Sequence, residues 1–298
     1  MNPIPFHSLG EAPAEKITGG FAVFGNPVAQ SLSPLMHNAA FTTIGISATY
    51  RAIRADDAVQ VVRMVRKLDL RGASVTIPFK ESLIPLLDEV ERNALEIGAV
   101  NTILNREERL FGYNTDAPGL ARDLEEWCGI RGRSFAVVGA GGAARAAVFA
   151  IIEGGGRPVV INRTAARARE LADRFGCTWA PFEELTRMKS DVLINTTPVG
   201  MFPDTDRTPV AEEWLPHFSH VLDMIYNPLT TRLLREAQSA GCKARAGVGM
   251  FVHQGAEQIR LWTGEEPPRE IMRQAVLYAL VKSRHPGESH RKGTAGSI

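Results

Sequence analysis

The sequence predicts an α/β protein with two domains, and three observations carry this prediction. Apolar runs of strand length alternate with stretches of helical length from residue 21 to residue 282, an order typical of sheets covered by helices. Near the middle, the run at 135–138 breaks into three closely spaced glycines before an alanine-rich stretch begins. A chain of 298 residues is long enough to bury two cores.

The first domain is assigned to residues 1–117 and begins with a loosely ordered arm over residues 1–18. Ser33-Pro34 indicates a helix start, with Ser33 as the N-cap and proline at the first helical position. Strands are expected at 21–25, 48–53, 71–80, 98–104 and 110–116, and helices after residue 33, at 55–68 and at 83–97. In the second helix the residues expected to face the core are Val59, Val62, Met64 and Val65.

The second domain is assigned to residues 118–254 and repeats the alternation. Helices over about 255–283 are expected to return to the first domain, and residues 284–298 are expected to be disordered because they are polar and rich in Gly, His and Lys. The strands are expected at 135–138, 157–162, 191–198, 220–224 and 243–246.

Composition and charge exclude several kinds of partner. Hydrophobic residues make up 44% and charged residues 22% of the chain, as in ordinary globular proteins, and the net charge of +1 gives no basis for binding nucleic acid or an anionic membrane. No apolar run has the length of a membrane span. The three cysteines lie far apart, which favours reduced thiols, no structural zinc and a cytoplasmic location.

The glycine turn is the strongest local signal. Gly139, Gly141 and Ala144 match the spacing of the strand–turn–helix unit that binds a pyrophosphate in Rossmann-type domains. Glycines let the backbone approach the phosphates, while the helix start supplies N–H groups and a positive dipole end. The sequence therefore predicts a dinucleotide site in the second domain.

The residues after the next strand indicate which dinucleotide binds. Sites for NAD usually place an acid there to bond the ribose hydroxyls, whereas this chain has Asn162-Arg163-Thr164 and then Arg167. Guanidinium groups pair with a 2′-phosphate that a carboxylate would repel. We therefore expect NADP(H) as the cofactor, although arginines are common in this chain and either one alone is equally compatible with a solvated surface residue.

A reductase also needs a group that manages the proton accompanying the hydride. Lys80 is the first candidate, because it follows an apolar run and because this chain, with 34 Lys and Arg residues, otherwise mostly uses arginine. Asp116 is the second candidate, although it could equally cap the helix that follows. Asn101 and Thr76 would add neutral hydrogen bonds. His37 and His253 are expected to be packed or capped helical residues.

With these residues assembled, the chain resembles the shikimate dehydrogenases from about residue 21 to residue 280. Eight motifs occur in order: Ser-Leu-Ser-Pro-x-Met-His-Asn at 31–38, Val-Thr-Ile-Pro-Phe-Lys at 75–80, Gly-Ala-Val-Asn-Thr at 98–102, Gly-x-Asn-Thr-Asp at 112–116, Gly-Ala-Gly-Gly-Ala at 139–143, Asn-Arg-Thr-x-x-Arg at 162–167, Asp-Met-x-Tyr-x-Pro at 223–228 and Gly-Met-x-x-x-Gln-Gly-Ala at 249–256.

The resemblance implies NADPH-dependent, reversible reduction of 3-dehydroshikimate to shikimate, with Lys80 and Asp116 handling the proton. It further implies that Ser31 and Ser33 bind the ring carboxylate, and that the hydroxyl face is lined by Thr76, Asn101, Tyr226 and Gln254. The cofactor residues that it implies are Gly139, Ala140, Gly141, Gly142, Ala143, Asn162, Arg163, Thr164, Arg167, Met224 and Gly249, with Met250 as a further contact. No metal site is expected.

The chain departs from the family pattern at Gln30, where many members have histidine. Ser33 and the Asn162-Arg163-Thr164 run favour the biosynthetic, shikimate-selective branch over enzymes that also oxidise quinate. The alternatives are a quinate/shikimate dehydrogenase with relaxed cofactor use, a non-catalytic sensor of shikimate or NADP(H), and a methylene-tetrahydrofolate dehydrogenase on the same frame. The partner is expected to be a small molecule, and the chain a monomer or homodimer.

Overall fold

The computed structural model describes residues 19–282. The predicted N-terminal arm and disordered C-terminal tail lie outside the described residues. Within residues 19–282, no helix is long and apolar enough to cross a membrane.

The first sheet is mixed. Its strands are β1 (Gly19–Gly25), β2 (Ala48–Arg54), β3 (Leu70–Val75), β4 (Glu89–Val90), β5 (Thr102–Arg106) and β6 (Arg109–Tyr113). They lie in the order β2-β1-β3-β5-β6-β4. Strands β2 and β3 flank β1 in parallel, as the strand–helix–strand pattern predicts, whereas β3, β5 and β6 are antiparallel neighbours. The helices of this unit are α1 (Ser33–Thr43), α2 (Ala58–Lys67) and α3 (Arg92–Ile97).

Three predictions for this domain are wrong in detail. Ser33 is not the N-cap of α1: Leu32 takes that position, and Ser33 is the first helical residue. The backbone N–H of Ser33 donates to the Ser31 hydroxyl at 3.2 Å. Val59 is 59% exposed, because residues 58, 61, 62 and 65 form the face of α2 that meets the core and the helical period places residue 59 outside it. The helix expected at 83–97 is broken by Pro85 into a 3₁₀ turn, β4 and α3.

The second sheet is entirely parallel and confirms the Rossmann-type domain. Its strands are β7 (Ser134–Val138), β8 (Arg157–Asn162), β9 (Thr178–Pro181), β10 (Ser190–Asn195), β11 (Phe218–Asp223) and β12 (Lys243–Ala246). The order is β12-β11-β10-β7-β8-β9, so it reverses between β10 and β7, where such sheets bind ligands. The short edge strand β9 was not predicted. Helices α5 (Gly142–Glu153), α6 (Ala165–Phe175) and α7 (Arg232–Ser239) accompany this sheet.

Two helices join the domains and pack tightly on each other, α4 (Asp116–Trp127) and α8 (Val248–Thr263). Gly119 permits this close approach, because a Cβ there would lie 2.7 Å from the backbone N of Gln254. A final helix, α9 (Arg269–Lys282), packs Met272 and Val276 into the core that contains Phe21. The predicted return of the C-terminal helix to the first domain is therefore confirmed.

Candidate active site

The cleft between the two sheets contains two cavities that meet at Lys80. One, of about 740 Å³, follows the glycine turn and the end of β8. The other, of about 410 Å³, lies over the ends of β1 and β3 in the first domain. Residues that line both cavities are Thr76, Ile77, Lys80, Ala143, Thr196, Thr197 and Pro198. A ligand in the larger cavity thus has one end at the mouth of the smaller one.

Lys80 and Asp116 form an ion pair at this junction. The distance from Lys80 Nζ to Asp116 Oδ2 is 2.5 Å, and the two side chains are 16% and 6% exposed. Lys80 follows the turn after β3, where buried Phe79 anchors the chain, and Asp116 is the first residue of α4. The alternative that Asp116 caps α4 is wrong, because Thr115 occupies the N-cap position and Asp116 points to Lys80.

Asn101 fixes the other carboxylate oxygen of this pair. Its Nδ2 donates to Asp116 Oδ1 at 2.8 Å, and its Oδ1 accepts from the backbone N–H of Thr115 at 2.7 Å. Asn101 is 2% exposed and lines the smaller cavity. A hydroxyl or ketone oxygen placed beside the pair would meet a donor on Lys80 and an acceptor on Asp116, the two functions that proton transfer requires.

The predicted carboxylate end lies at the start of α1. Ser31, Ser33 and Gln30 line the smaller cavity there, so Gln30 stands where its amide can donate to a ligand. The Tyr226 ring stacks on Phe251 with centroids 4.2 Å apart. Burial raises the pKa of the Tyr226 phenol, whereas its hydrogen bonds with the Leu32 backbone and the Ser31 side chain lower it in part.

Buried Asp223 holds the loop that carries Tyr226, and sequence reasoning did not assign it this task. Its carboxylate accepts from Thr231 Oγ1 at 2.7 Å, Asn195 Nδ2 at 3.0 Å and the Ile225 N–H at 3.1 Å. Burial raises its pKa to about 6, although these hydrogen bonds act in the opposite direction. The loop therefore has a fixed anchor at the end of β11.

The remaining predicted substrate residues also line the smaller cavity. They are Thr76, after β3, and Gln254, on α8, whose Nε2 donates to the Phe251 carbonyl at 2.8 Å. Met224 and Met250 lie in the same wall. Sequence reasoning missed Ser74 and Gln258, which line this cavity as well. The available signal was the spacing of Gln254 and Gln258, which puts two amides on one face of an apolar helix.

The glycine turn is built to admit a ligand. Gly139 has φ +126°, and a Cβ there would lie 2.2 Å from Thr196 Oγ1. A Cβ on Gly141 would meet nothing within 4 Å, so the backbone at the start of α5 faces open space. A Cβ on Gly142 would lie 3.3 Å from Lys80 Cβ. The phosphate-type turn and the candidate reactive lysine are therefore direct neighbours across the cleft.

The predicted arginines stand at the far end of the larger cavity. Asn162, Arg163 and Arg167 line it, and both arginines are exposed. Arg207, from the loop before β11, lines the same cavity and was not predicted. Among the residues that line this cavity the only acid is Glu81. Open glycine backbone at one end and guanidinium groups at the other fit a dinucleotide with an additional phosphate.

Two predicted cofactor residues do not line either cavity, Thr164 and Gly249. Thr164 is the N-cap of α6, and its carbonyl accepts from Asn162 Nδ2 at 3.1 Å. Gly249 faces α4, where a Cβ would lie 1.9 Å from Asp123 Oδ1. Packing thus explains a glycine at position 249 by itself, and cofactor contacts for these two residues stay predictions.

The two helical histidines are packed residues, as predicted. His37 is fully buried, donates from Nδ1 to the Ser33 carbonyl at 2.9 Å, and stacks on Tyr50. Burial lowers its pKa to about 4, so the ring is neutral near pH 7. His253 Nε2 lies 3.1 Å from Glu126 Oε2, and burial lowers its pKa. Neither ring lines the two cavities.

Comparisons with known proteins agree with this geometry. Three family sequence models match: the shikimate dehydrogenase substrate binding domain at residues 23–103, shikimate/quinate 5-dehydrogenase at 120–200, and the shikimate 5′-dehydrogenase C-terminal domain at 247–277. Together they match parts of both domains and most of the returning helices.

Relatives similar over most of their length carry the same family name. The shikimate dehydrogenase (NADP(+)) of Methanosarcina mazei is 45% identical, with 87% of this chain and 98% of that protein covered. The enzyme of the same name from Moorella thermoacetica is 41% identical, with 88% and 94% covered. A crystal structure of shikimate 5-dehydrogenase from Thermus thermophilus, in complex with NADP(H) and shikimate, superimposes with a TM-score of 0.81 at 41% identity, covering 88% of this chain and 99% of that one.

The two-domain fold, the paired cavities and the relatives at more than 40% identity lead to one conclusion: this chain belongs to the shikimate dehydrogenase family.

Proposed function

We propose that this protein catalyses the reversible, NADPH-dependent reduction of 3-dehydroshikimate to shikimate, a step of aromatic amino-acid biosynthesis. The observation that carries the proposal is the position of the Lys80–Asp116 ion pair at the junction of the two cavities. A substrate in the smaller cavity and a dinucleotide in the larger one would meet at this pair. Relatives bearing the name shikimate dehydrogenase (NADP(+)) support the same reaction.

The residues of the larger cavity fit NADP(H). Gly139, Ala140, Gly141, Gly142 and Ala143 would hold the pyrophosphate at the start of α5. Asn162, Arg163, Thr164 and Arg167 would bind the 2′-phosphoribose, while Met224 and Gly249 would contact the nicotinamide. When bound, the cofactor supplies or accepts the hydride at the substrate carbon.

The chain's own groups handle the substrate oxygen and its proton. In the reductive direction the Lys80 ammonium donates a hydrogen bond to the ketone oxygen, and it transfers a proton as negative charge develops there. Asp116 keeps Lys80 in place through the 2.5 Å ion pair. In the oxidative direction the same pair accepts the hydroxyl proton.

The smaller cavity would orient the ring. Ser31 and Ser33, at the start of α1, bind the carboxylate, where the helix dipole and N–H groups assist. Thr76, Asn101, Tyr226 and Gln254 bind the ring hydroxyls. The paired serines of this pocket and the hydroxyl and amide groups beside them suit a small hydroxy acid better than a pterin, which disfavours a folate substrate.

We retain the remaining predictions as parts of this proposal. The substrate domain comprises residues 1–117 with the returning helices at about 255–283, and the NADP domain comprises residues 118–254. Val252, two residues before that limit, already packs in the first core, so α8 serves both units. The protein is cytoplasmic, acts on small molecules rather than nucleic acid or membranes, and is a monomer or homodimer.

The test is the oxidation of shikimate by NADP, followed by nicotinamide absorbance, together with the reverse reaction from 3-dehydroshikimate. Turnover in both directions is expected. Tight NADP binding without turnover in either direction would contradict the proposal and would instead indicate a sensor of these ligands.

A further inference from the structure

A buried chain of hydrogen bonds ends at the Asp116 carboxylate. It begins at the Tyr50 hydroxyl, which donates to Ser74 Oγ (2.5 Å), and Ser74 Oγ donates to Gln258 Oε1 (2.8 Å). The Gln258 amide continues it, because Nε2 donates to Thr102 Oγ1 (2.9 Å). Thr102 Oγ1 then donates to Asn101 Oδ1 (2.8 Å), and Asn101 Nδ2 donates to Asp116 Oδ1 (2.8 Å). All six residues are less than a tenth exposed.

A single backbone group determines the direction of this chain. The N–H of Thr115 can only donate, so the Asn101 atom 2.7 Å from it is the carbonyl oxygen, and the Asn101 amino group faces Asp116. That oxygen also accepts from the Thr102 hydroxyl at 2.8 Å, the shortest contact of Thr102 Oγ1, which lies 3.1 Å from the Thr115 hydroxyl as well. With the Thr102 proton directed at Asn101, the Gln258 atom 2.9 Å from Thr102 Oγ1 is the donor Nε2.

The same logic extends past Gln258. Its Oε1 faces Ser74 and accepts the hydroxyl proton, so Ser74 can only accept from Tyr50. Every donor thus points toward Asp116, an arrangement in which successive hydrogen bonds polarise and strengthen one another. At the far end, the Tyr50 hydroxyl neighbours the Ser33 side chain at the predicted carboxylate site.

Gln258 links the two halves of this hydrogen-bond chain. Ser74 and Thr102 are paired residues on the neighbouring strands β3 and β5, and the Gln258 amide reaches them from α8. Its acceptor Oε1 binds Ser74 on β3, and its donor Nε2 binds Thr102 on β5. No other member of the hydrogen-bond chain contacts two strands through a separate donor atom and acceptor atom. Gln258 therefore connects the helix that joins the domains to the floor of the substrate cavity.

We propose that Gln258 is a positioning residue: its amide holds the Thr102 hydroxyl against Asn101 Oδ1 and, together with the Thr115 N–H, keeps the Asn101 amide and the Asp116 carboxylate in their reactive orientation. The inference rests on the proposed function and assigns a task within it. Without Gln258, Thr102 Oγ1 loses a donor and its hydroxyl can turn away from Asn101 Oδ1, so the Asn101 side chain keeps its direction but loses one of the contacts that hold it against Asp116. We expect this loss to affect the reacting state more than cofactor binding.

The first test replaces the amide by an apolar side chain of similar length. In Gln258→Met we expect kcat with shikimate to fall roughly tenfold, the effect of losing one to two buried hydrogen bonds, with KM for NADP unchanged. The matched control is Gln274→Met, because Gln274 on α9 has an exposed amide hydrogen-bonded to Glu270. The control is expected to retain wild-type kcat.

The second test separates positioning from simple packing. In Gln258→Glu the protonated carboxyl offers one donor and one acceptor like the amide, whereas the ionised carboxyl offers no donor. The ratio of the variant's kcat to the wild-type kcat, measured at the same pH, is therefore expected to approach one at low pH and to fall as the pH rises. A packing role alone would give a ratio independent of pH.

Few other titratable groups face position 258. His37 on α1 and Tyr50 on β2 do so, and α4 presents Glu126 to His253 on another face of α8. His37 is neutral above a pKa of about 4, so the expected pH effect belongs to the introduced carboxyl.

A folded Gln258→Met protein with wild-type kcat overturns the inference. If that variant fails to fold by thermal denaturation, a pH-independent activity ratio in Gln258→Glu, over a pH range in which the introduced carboxyl is seen to ionise, overturns it equally. The wild-type assay separates the two proposals: an inactive wild type removes the proposed function and this inference with it, whereas an active wild type with unaffected variants removes only the role of Gln258.

Discussion

Lys80 and Asp116 are 36 positions apart in the chain, yet Nζ of one lies 2.5 Å from Oδ2 of the other. The turn after β3 carries Lys80, and the first residue of α4 carries Asp116, so the pair stands where the substrate sheet meets the helix that crosses to the second domain. With side chains 16% and 6% exposed, both groups are screened from bulk water yet reach the cleft.

Replacing Lys80 tests the proton-transfer role of this pair. Lys80→Ala is expected to lower kcat by roughly 10²–10⁴-fold, the usual contribution of a general acid–base group, while shikimate still binds. Steady-state kinetics and equilibrium binding of shikimate give the two quantities. The matched control is Lys189→Ala, which changes an exposed lysine of the second domain. A near-native kcat in Lys80→Ala would exclude this lysine from the chemistry.

The arginines after β8 are expected to determine cofactor preference. The double substitution Arg163→Gln and Arg167→Gln removes the guanidinium groups that line the cavity, so KM for NADP is expected to rise at least tenfold, with little change for NAD. Exposed Arg63 on α2 provides the control Arg63→Gln. An equal rise in KM for NADP and for NAD would show that these arginines do not bind the 2′-phosphate.

Two glycines of the same turn should respond differently to alanine. Gly139→Ala forces a Cβ to 2.2 Å from Thr196 Oγ1 at φ +126°, so a loss of roughly 1–3 kcal/mol in unfolding free energy is expected. Gly141→Ala meets no neighbour within 4 Å, so its stability should stay within about 0.5 kcal/mol of wild type. Its methyl group nevertheless enters the cavity, so the Kd for NADP is expected to rise.

Denaturant titration and NADP binding of both glycine variants give these numbers. Unaltered NADP affinity in the Gly141→Ala protein would show that the cofactor does not approach this backbone.

Buried His37 predicts a specific acid sensitivity. Burial lowers its pKa from 6.5 to about 4, so between these values the unfolded chain binds a proton that the folded chain does not. Stability from this residue is therefore complete above pH 6.5 and falls by up to roughly 3 kcal/mol as the pH drops toward 4. In His37→Phe, which keeps a ring against Tyr50, the unfolding free energy should lose this pH dependence. An equally steep decline in the variant would assign the effect to other groups.

The sequence was sufficient to predict the two-domain fold and the residues that converge on the cleft. Lys80, Asn101 and Asp116 could be found because each lies at the end of an apolar run or at the start of a helix, and these positions gather at the edge of the first sheet that faces the cleft. The glycine turn was visible because its spacing reflects a backbone requirement that the structure bears out at Gly139.

The errors have physical causes that a single sequence does not display. Ser33 has the residue type of an N-cap, but it is the first helical residue, and its own backbone N–H donates to the Ser31 hydroxyl. Which residue takes the N-cap position depends on how the preceding loop enters the helix. A tertiary contact with Asp123 accounts for the missing side chain of Gly249, and no local pattern displays that contact; the cofactor contact of Gly249 stays a prediction. The hydrogen-bond chain through Gln258 joins residues up to 184 positions apart, so no local pattern could reveal it.

The shikimate-selective, NADP-dependent assignment is tested most directly by comparing four substrate–cofactor combinations, shikimate or quinate with NADP or NAD, through nicotinamide absorbance. We expect a kcat/KM for shikimate with NADP that exceeds the other three by at least roughly tenfold, because a charged 2′-phosphate contact and a fitted hydroxy-acid pocket each discriminate by about tenfold or more. Comparable rates with quinate or NAD would contradict that assignment.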